Sequence, residues 1–170
     1  MRRFTLDTSC IIAAVGGEPA SNQIEELVDL ARSGKIGIVI TSGFDVDQRT
    51  ATDKRRQANV EWLARAQILP VPGPFRFGMS YLGESDVPTD DDTPAVDEAI
   101  AKIVVGMTPE EAPAKRMQDV HHLTAHHMAK CDAFVTLDHD DMIRNRADLK
   151  SKVGIVILTP PEAVALARNS

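Results

Sequence analysis

The chain has 170 residues, 43% of them hydrophobic and 26% charged, enough for one sizeable core, and reads as a single domain over 1–170. No apolar run reaches the roughly 18 residues of a membrane helix, and Met1-Arg2-Arg3 leads straight into strand-like sequence, so a membrane span and a signal peptide are not expected and a cytoplasmic location is. The net charge of −6, from 25 acidic and 19 basic residues, excludes a grip on nucleic acid by the overall field, although acids that hold a dication reverse that field locally.

In chain order, the sequence predicts a first strand at Phe4–Leu6 and a helix from Cys10 to Val15, interrupted by Gly16, Gly17 and Pro19. Ser21 or Asn22 caps the next helix, in which Ile24, Leu27, Val28 and Ala31 recur at helical spacing until Gly34. A second strand, Ile36–Thr41, passes through Ser42-Gly43 into one long amphipathic helix to Ala66, with Val60, Trp62 and Leu63 turned to the core. A third strand, Ile68–Val71, stops at Pro72. The two cysteines, Cys10 and Cys131, lack CxxC spacing and read as buried thiols with no redox role.

From Pro72 the composition turns to Gly, Pro and Asp with isolated aromatics (Phe75, Phe77, Tyr81), which marks an irregular loop or insertion in the region 72–110. Within it Thr93 caps a helix at Pro94–Val105, and another is expected to begin near Glu110. The acidic run Asp90–Asp92 lacks the glycine and ligand spacing of a calcium loop and reads as solvated. A helix over Ala114–Lys130, a strand at Ala133–Thr136, a basic helix at Met142–Lys150, a strand at Val153–Leu158 and a short helix after Pro160-Pro161 complete the chain. Strands alternating with helices predict a parallel sheet covered on both faces, an α/β fold.

The informative feature is where the acids fall. Asp7 closes the first strand, Asp119 lies on the helix before Ala133–Thr136, and Asp138 follows that strand. If the strands are parallel, their carboxyl ends gather these residues at one sheet edge, where open α/β folds place ligands. Carboxylates converging there repel unless a divalent cation neutralises them, which points to Mg2+ or Mn2+. Each acid also has a local reading. Asp7 can cap the following helix, Asp119 can be a first-turn acid favoured by the dipole, and Asp138 can make a turn with Asp140 and Asp141. His121, His122, His126 and His127 offer a rival, because Asp119, His122 and His126 share a helix face and can in principle hold zinc. The same spacing turns His122 and His126 toward the sheet as packing or hydrogen-bonding residues, with His121 and His127 outward or flanking the core.

Three segments carry a family resemblance: RRFTLDTS at the start, DVHHLTAHHMAKCDAFVTLD, and GIVILTPPEAVAL at the end. The chain resembles PIN-domain proteins, the nuclease class that includes VapC-like ribonucleases of toxin–antitoxin systems, with the match weakest between about 72 and 110. The resemblance implies a three-layer α/β/α fold around a mainly parallel sheet of about five strands. It also implies three or four acids holding one or two Mg2+ or Mn2+ ions. Asp7 then matches the first acid, Asp119 the third and Asp138 the fourth. The second, usually a Glu after the second strand, falls on Asp47, with Asp45 as the substitute; aspartate is one methylene shorter there. Thr136 matches the hydroxyl residue before the last acid, or simply suits a strand.

The implied activity is endoribonuclease hydrolysis of RNA phosphodiesters, leaving a 5′-phosphate and a 3′-hydroxyl. The implied partners are RNA, a small antitoxin protein and a second copy in a homodimer. The alternative class is a PIN-like binding or scaffold module without chemistry. A phosphatase of the haloacid dehalogenase type, which needs a second carboxylate two residues after the first, meets Ser9 there.

Overall fold

The computed structural model describes residues 1–76, 86–89 and 92–169. Five strands form one sheet: β1 (Arg2–Leu6), β2 (Ile36–Thr41), β3 (Leu69–Val71), β4 (Ala133–Val135) and β5 (Ile157–Leu158). They pair in the order β3-β2-β1-β4-β5, and every pairing is parallel. The chain builds outward from β1 to β3, then crosses back to lay β4 on the other side of β1. The crevice between the carboxyl ends of β1 and β4 is therefore the switch point of the topology.

Helices cover both faces because the strands are apolar on both. Phe4 and Leu6 of β1 and Ala133 and Val135 of β4 enter one core. They meet α1 (Thr8–Gly16), α2 (Ser21–Arg32), α4 (Asp53–Ala66) and α8 (Pro160–Arg168), with Ile11, Leu27, Trp62 and Val164 among their partners. Phe134, one residue out of phase, enters the second core with Ile100 of α5 (Thr93–Val104) and Val120 and Leu123 of α6 (Ala114–Met128). The result is the expected three-layer α/β/α arrangement. Among the described residues no helix is long and apolar enough to cross a membrane.

Several elements differ from the expectation. The long helix after β2 is two: α3 (Gly43–Gln48) and α4, separated where Thr52 turns extended and its hydroxyl accepts the Arg55 N–H at 3.4 Å. A cap-forming threonine competes with helix continuation at that point. Val60, expected inward, is 52% exposed. Residues near Glu110 form turns, not a helix, and the basic segment is a π-helical turn (His139–Ile143), a short α7 (Arg146–Asp148) and a second π-helical turn (Leu149–Val153). In the 72–110 region Pro74 bridges to Val87 and α5 is regular. Phe77, Tyr81, Asp90 and Asp91 lie outside the described residues. Cys10 is buried and Cys131 half-buried, both as free thiols.

The seam between α6 and the sheet is polar, unlike the opposite core. Thr5 Oγ1 lies 2.8 Å from His126 Nδ1, Thr41 Oγ1 is 2.5 Å from His122 Nδ1, and Ser42 Oγ is 3.1 Å from His121 Nε2. His126 also meets Phe134 edge to face, with ring centroids 5.5 Å apart. Gly43 is required beneath this seam, since a Cβ there would lie 2.7 Å from His122 Cε1. Burial holds the His121 and His126 pKa values down to about 4, with Asp86 partly opposing it at His121 and His127 reinforcing it at His126.

Each hydroxyl at this seam therefore satisfies a buried ring nitrogen that water cannot reach. Thr5→Val, nearly isosteric, leaves His126 Nδ1 without its partner and is expected to lower unfolding stability by about 1–3 kcal/mol. Urea denaturation with an unchanged slope checks this; an unchanged midpoint would show that the pair contributes nothing.

Candidate metal centre

The edge-gathering expected from the sequence is present. Asp7, Asp47, Asp119 and Asp138 line one cleft of about 350 Å3 at the carboxyl end of the sheet. Asp45, the substitute for Asp47, instead lines a neighbouring cleft with Phe44, Arg49 and Arg56. Thr136 lies beneath the acids and is fully buried.

The β1–β4 register joins the first and last acids. The Asp7 N–H donates to Val135 O at 2.9 Å, extending the strand pairing by one residue. Thr136 Oγ1 donates to Asp7 Oδ2 at 2.8 Å and accepts the Asp138 N–H at 3.0 Å, so a single hydroxyl sets the spacing of both. Ser9 repeats the device: its Oγ donates to Asp7 Oδ2 at 2.5 Å and accepts the Leu137 N–H at 3.1 Å. Thr136 is thus more than a strand former, and the Asp7-Thr-Ser motif acquires a physical reason.

The local readings of the acids resolve one by one. Asp7 occupies the cap position of α1 but makes no side-chain cap bond. Asp119 is the sixth residue of α6, beyond the first turn where a helix dipole acts. Asp138 does organise a turn, its Oδ1 accepting the N–H groups of Asp140 and Asp141 at 2.9 and 3.0 Å. No side-chain hydrogen bond among the described residues takes up its other oxygen.

That turn brings in Asp141, which the sequence placed only in the turn after Asp138. Ligand oxygens of Asp119, Asp138 and Asp141 all lie within 4.8 Å of one another, a group of three acids that could hold a metal ion. The Asp141 side chain is only 16% exposed and pairs with Arg116 at 2.8 Å. Its place could have been read from the turn propensity of Asp138, which folds the next two residues back toward the cleft.

Asp47 is held differently. Its Oδ2 accepts the Thr8 hydroxyl at 2.5 Å and the His122 Nε2–H at 2.9 Å, and it stands outside the group of three. Burial opposes a charge on His122, but the hydrogen bond and charge of Asp47, joined by Asp7 and Asp119, outweigh it and raise the pKa. His122 is thus tied into the acidic site by one nitrogen and into the sheet by the other. The donor set expected for a histidine zinc site is not assembled: among the described residues the only group of three metal-ligating side chains is the aspartates.

The chemistry of that donor set is hard oxygen, which suits a small divalent cation better than a soft one. Oxygens sharing an ion at about 2.1 Å stand at most about 4.2 Å apart, so a closure of a few tenths of an ångström brings the three into that range. Electrostatics point the same way. Burial pushes the Asp119 carboxyl up to about 7, and the charges of Asp7, Asp138 and Asp141 add to this against the smaller opposing effect of His122.

Neither comparison with known proteins adds a name to this geometry: no family model matches the chain, and no curated protein matches it.

The raised Asp119 pKa has a definite sign for stability. From an ordinary value of 3.8 to about 7 in the fold, ionisation is disfavoured by folding, so the ion-free protein loses stability as pH rises from about 4 to about 7. Asp119→Asn is expected to flatten that slope, and Mn2+ should raise the wild-type melting temperature more at pH 8 than at pH 5. Thermal melts with and without Mn2+ test both; an equal shift at the two pH values would contradict the assignment.

Proposed function

We propose that this protein is a divalent-metal-dependent hydrolase of RNA phosphodiesters, a PIN-like endoribonuclease that uses Mg2+ or Mn2+. The observation that supports this most is the meeting of acids from four separate segments in one cleft at the topological switch point, two of them, Asp119 and Asp138, close enough to share an ion with Asp141. Structural ion pairs do not need several like charges in one place; a cation and an anionic substrate bridged by it do.

In this reading Asp119, Asp138 and Asp141 hold the cation, and Asp7 faces them from β1. A bound ion supplies a water of lowered pKa and neutralises charge on the scissile phosphate. Thr136 and Ser9 fix the Asp7 carboxylate, while Thr8 and His122 fix Asp47, so the acids keep their orientation when a ligand enters. Arg116 holds Asp141 on the far side. The products would be a 5′-phosphate and a 3′-hydroxyl, as the resemblance implies. A small antitoxin would act by covering this cleft.

One observation favours the alternative of a PIN-like binding or scaffold module: Asp47 is engaged by Thr8 and His122 and stands apart from the group of three. A single assay separates the two. Single-stranded and structured RNAs incubated with Mn2+ should be cut by the wild type, and Asp7→Asn, Asp119→Asn and Asp138→Asn should each lose about 100-fold or more. His122→Asn, which touches the site only through Asp47, should lose about 10–100-fold, the range for a supporting partner. Cleavage indifferent to Asp7→Asn and Asp119→Asn would remove the hydrolytic reading.

A further inference from the structure

We propose that Arg55 is the residue that grips the substrate phosphate in this cleft, acting on single-stranded RNA; the assignment rests on the hydrolytic reading above. Arg55 is the one basic residue that lines the cleft with the four aspartates. It is exposed, on the first turn of α4, and its guanidinium makes no ion pair or hydrogen bond among the described residues. Its neighbour differs. Arg56 is engaged by the α3–α4 turn, donating through Nε to Gln48 O at 3.1 Å and through Nη2 to Ala51 O at 3.3 Å, with Asp53 at 3.5 Å.

An unpaired guanidinium in a cleft of carboxylates needs an explanation, because an ion pair is the default there. Two of the four carboxylates in the cleft already have partners: Asp7 takes the Ser9 and Thr136 hydroxyls, and Asp47 takes Thr8 and His122. The five N–H donors of Arg55 therefore stay available for an anion that enters from solvent. A planar fork of donors matches the two non-bridging oxygens of a phosphodiester, which a lysine ammonium does not. The overall charge of −6 leaves phosphate recognition to such local groups. At about 350 Å3 the cleft sits at the lower end of small-ligand sites, the size of one extended nucleotide unit.

The test measures binding of a short fluorescein-labelled single-stranded RNA by anisotropy, with Ca2+ in place of Mn2+, at several salt concentrations. Arg55→Ala should weaken binding about 10–100-fold, as for loss of hydrogen bonds to a charged group, and reduce the salt slope by about 1. Arg55→Lys should keep the salt slope while recovering only part of the affinity. Lys54→Ala, adjacent but outside the cleft, should match the wild type. Mn2+ binding measured by calorimetry should be equal in wild type and Arg55→Ala.

Wild-type affinity and salt slope in Arg55→Ala would overturn the assignment, and so would a wild type that does not bind the RNA. If Arg55→Ala loses RNA binding but the wild type does not cleave in Mn2+, Arg55 stands as the phosphate grip and the hydrolytic reading alone fails. If the wild type cleaves and Arg55→Ala is unaltered, the reverse holds.

Discussion

Like charges gathered in one crevice are the constraint on which the rest of this structure depends. Asp7, Asp119 and Asp138 come from a strand end, a helix and a post-strand turn, and no local preference accounts for their meeting. The parallel pairing of β4 onto β1 brings Asp7 beside Thr136, and the packing of α6 across that pair adds Asp119. Repulsion among these acids shows in the Asp119 carboxyl, held up to about 7 by burial and by its neighbours. The fold tolerates this cost because apolar burial on both faces of the sheet outweighs it.

The two faces of the sheet do different work. One is packed mainly by apolar side chains from α1, α2, α4 and α8, Trp62 among them. The other meets α6 through threonine and serine hydroxyls paired with histidines, and this seam runs from His126 up to His122 at the cleft. Directional hydrogen bonds fix the rotation of α6 more tightly than apolar contacts do, and the position of Asp119 follows from that rotation. The histidines thus serve the acidic cluster indirectly: they hold the helix that carries Asp119.

Much of this was legible in the sequence because it depends on periodicity and on residues at strand ends. The α/β class and the order of the five strands follow from apolar runs alternating with helical spacing, although the last strand, expected from Val153, begins only at Ile157; the convergence of Asp7, Asp119 and Asp138 follows from acids near the ends of two strands and on the helix between them. What escaped has physical causes. The break between α3 and α4 turns on a threonine cap that competes with an otherwise good helical pattern. Asp141 was placed only in the turn after Asp138, because its position beside Asp119 depends on the tertiary fold and on an ion pair with Arg116, 25 positions earlier in the chain. His121 was expected to flank the core or face outward and is fully buried, since Ser42 and Asp86 provide polar partners that only the tertiary fold brings to it. Asp47 does face the cleft, but it is bonded to His122 and Thr8, partners that only the tertiary fold brings to it, and stands outside the group of Asp119, Asp138 and Asp141.

The central claim is that these carboxylates share a cation, and a crystal grown with Mn2+ and read by its anomalous signal tests it most directly. The account predicts a peak about 2.0–2.6 Å from oxygens of Asp119 and Asp138, with Asp141 or Asp7 completing the protein ligands. A peak on the histidines, or none in the cleft at saturating Mn2+, would contradict it.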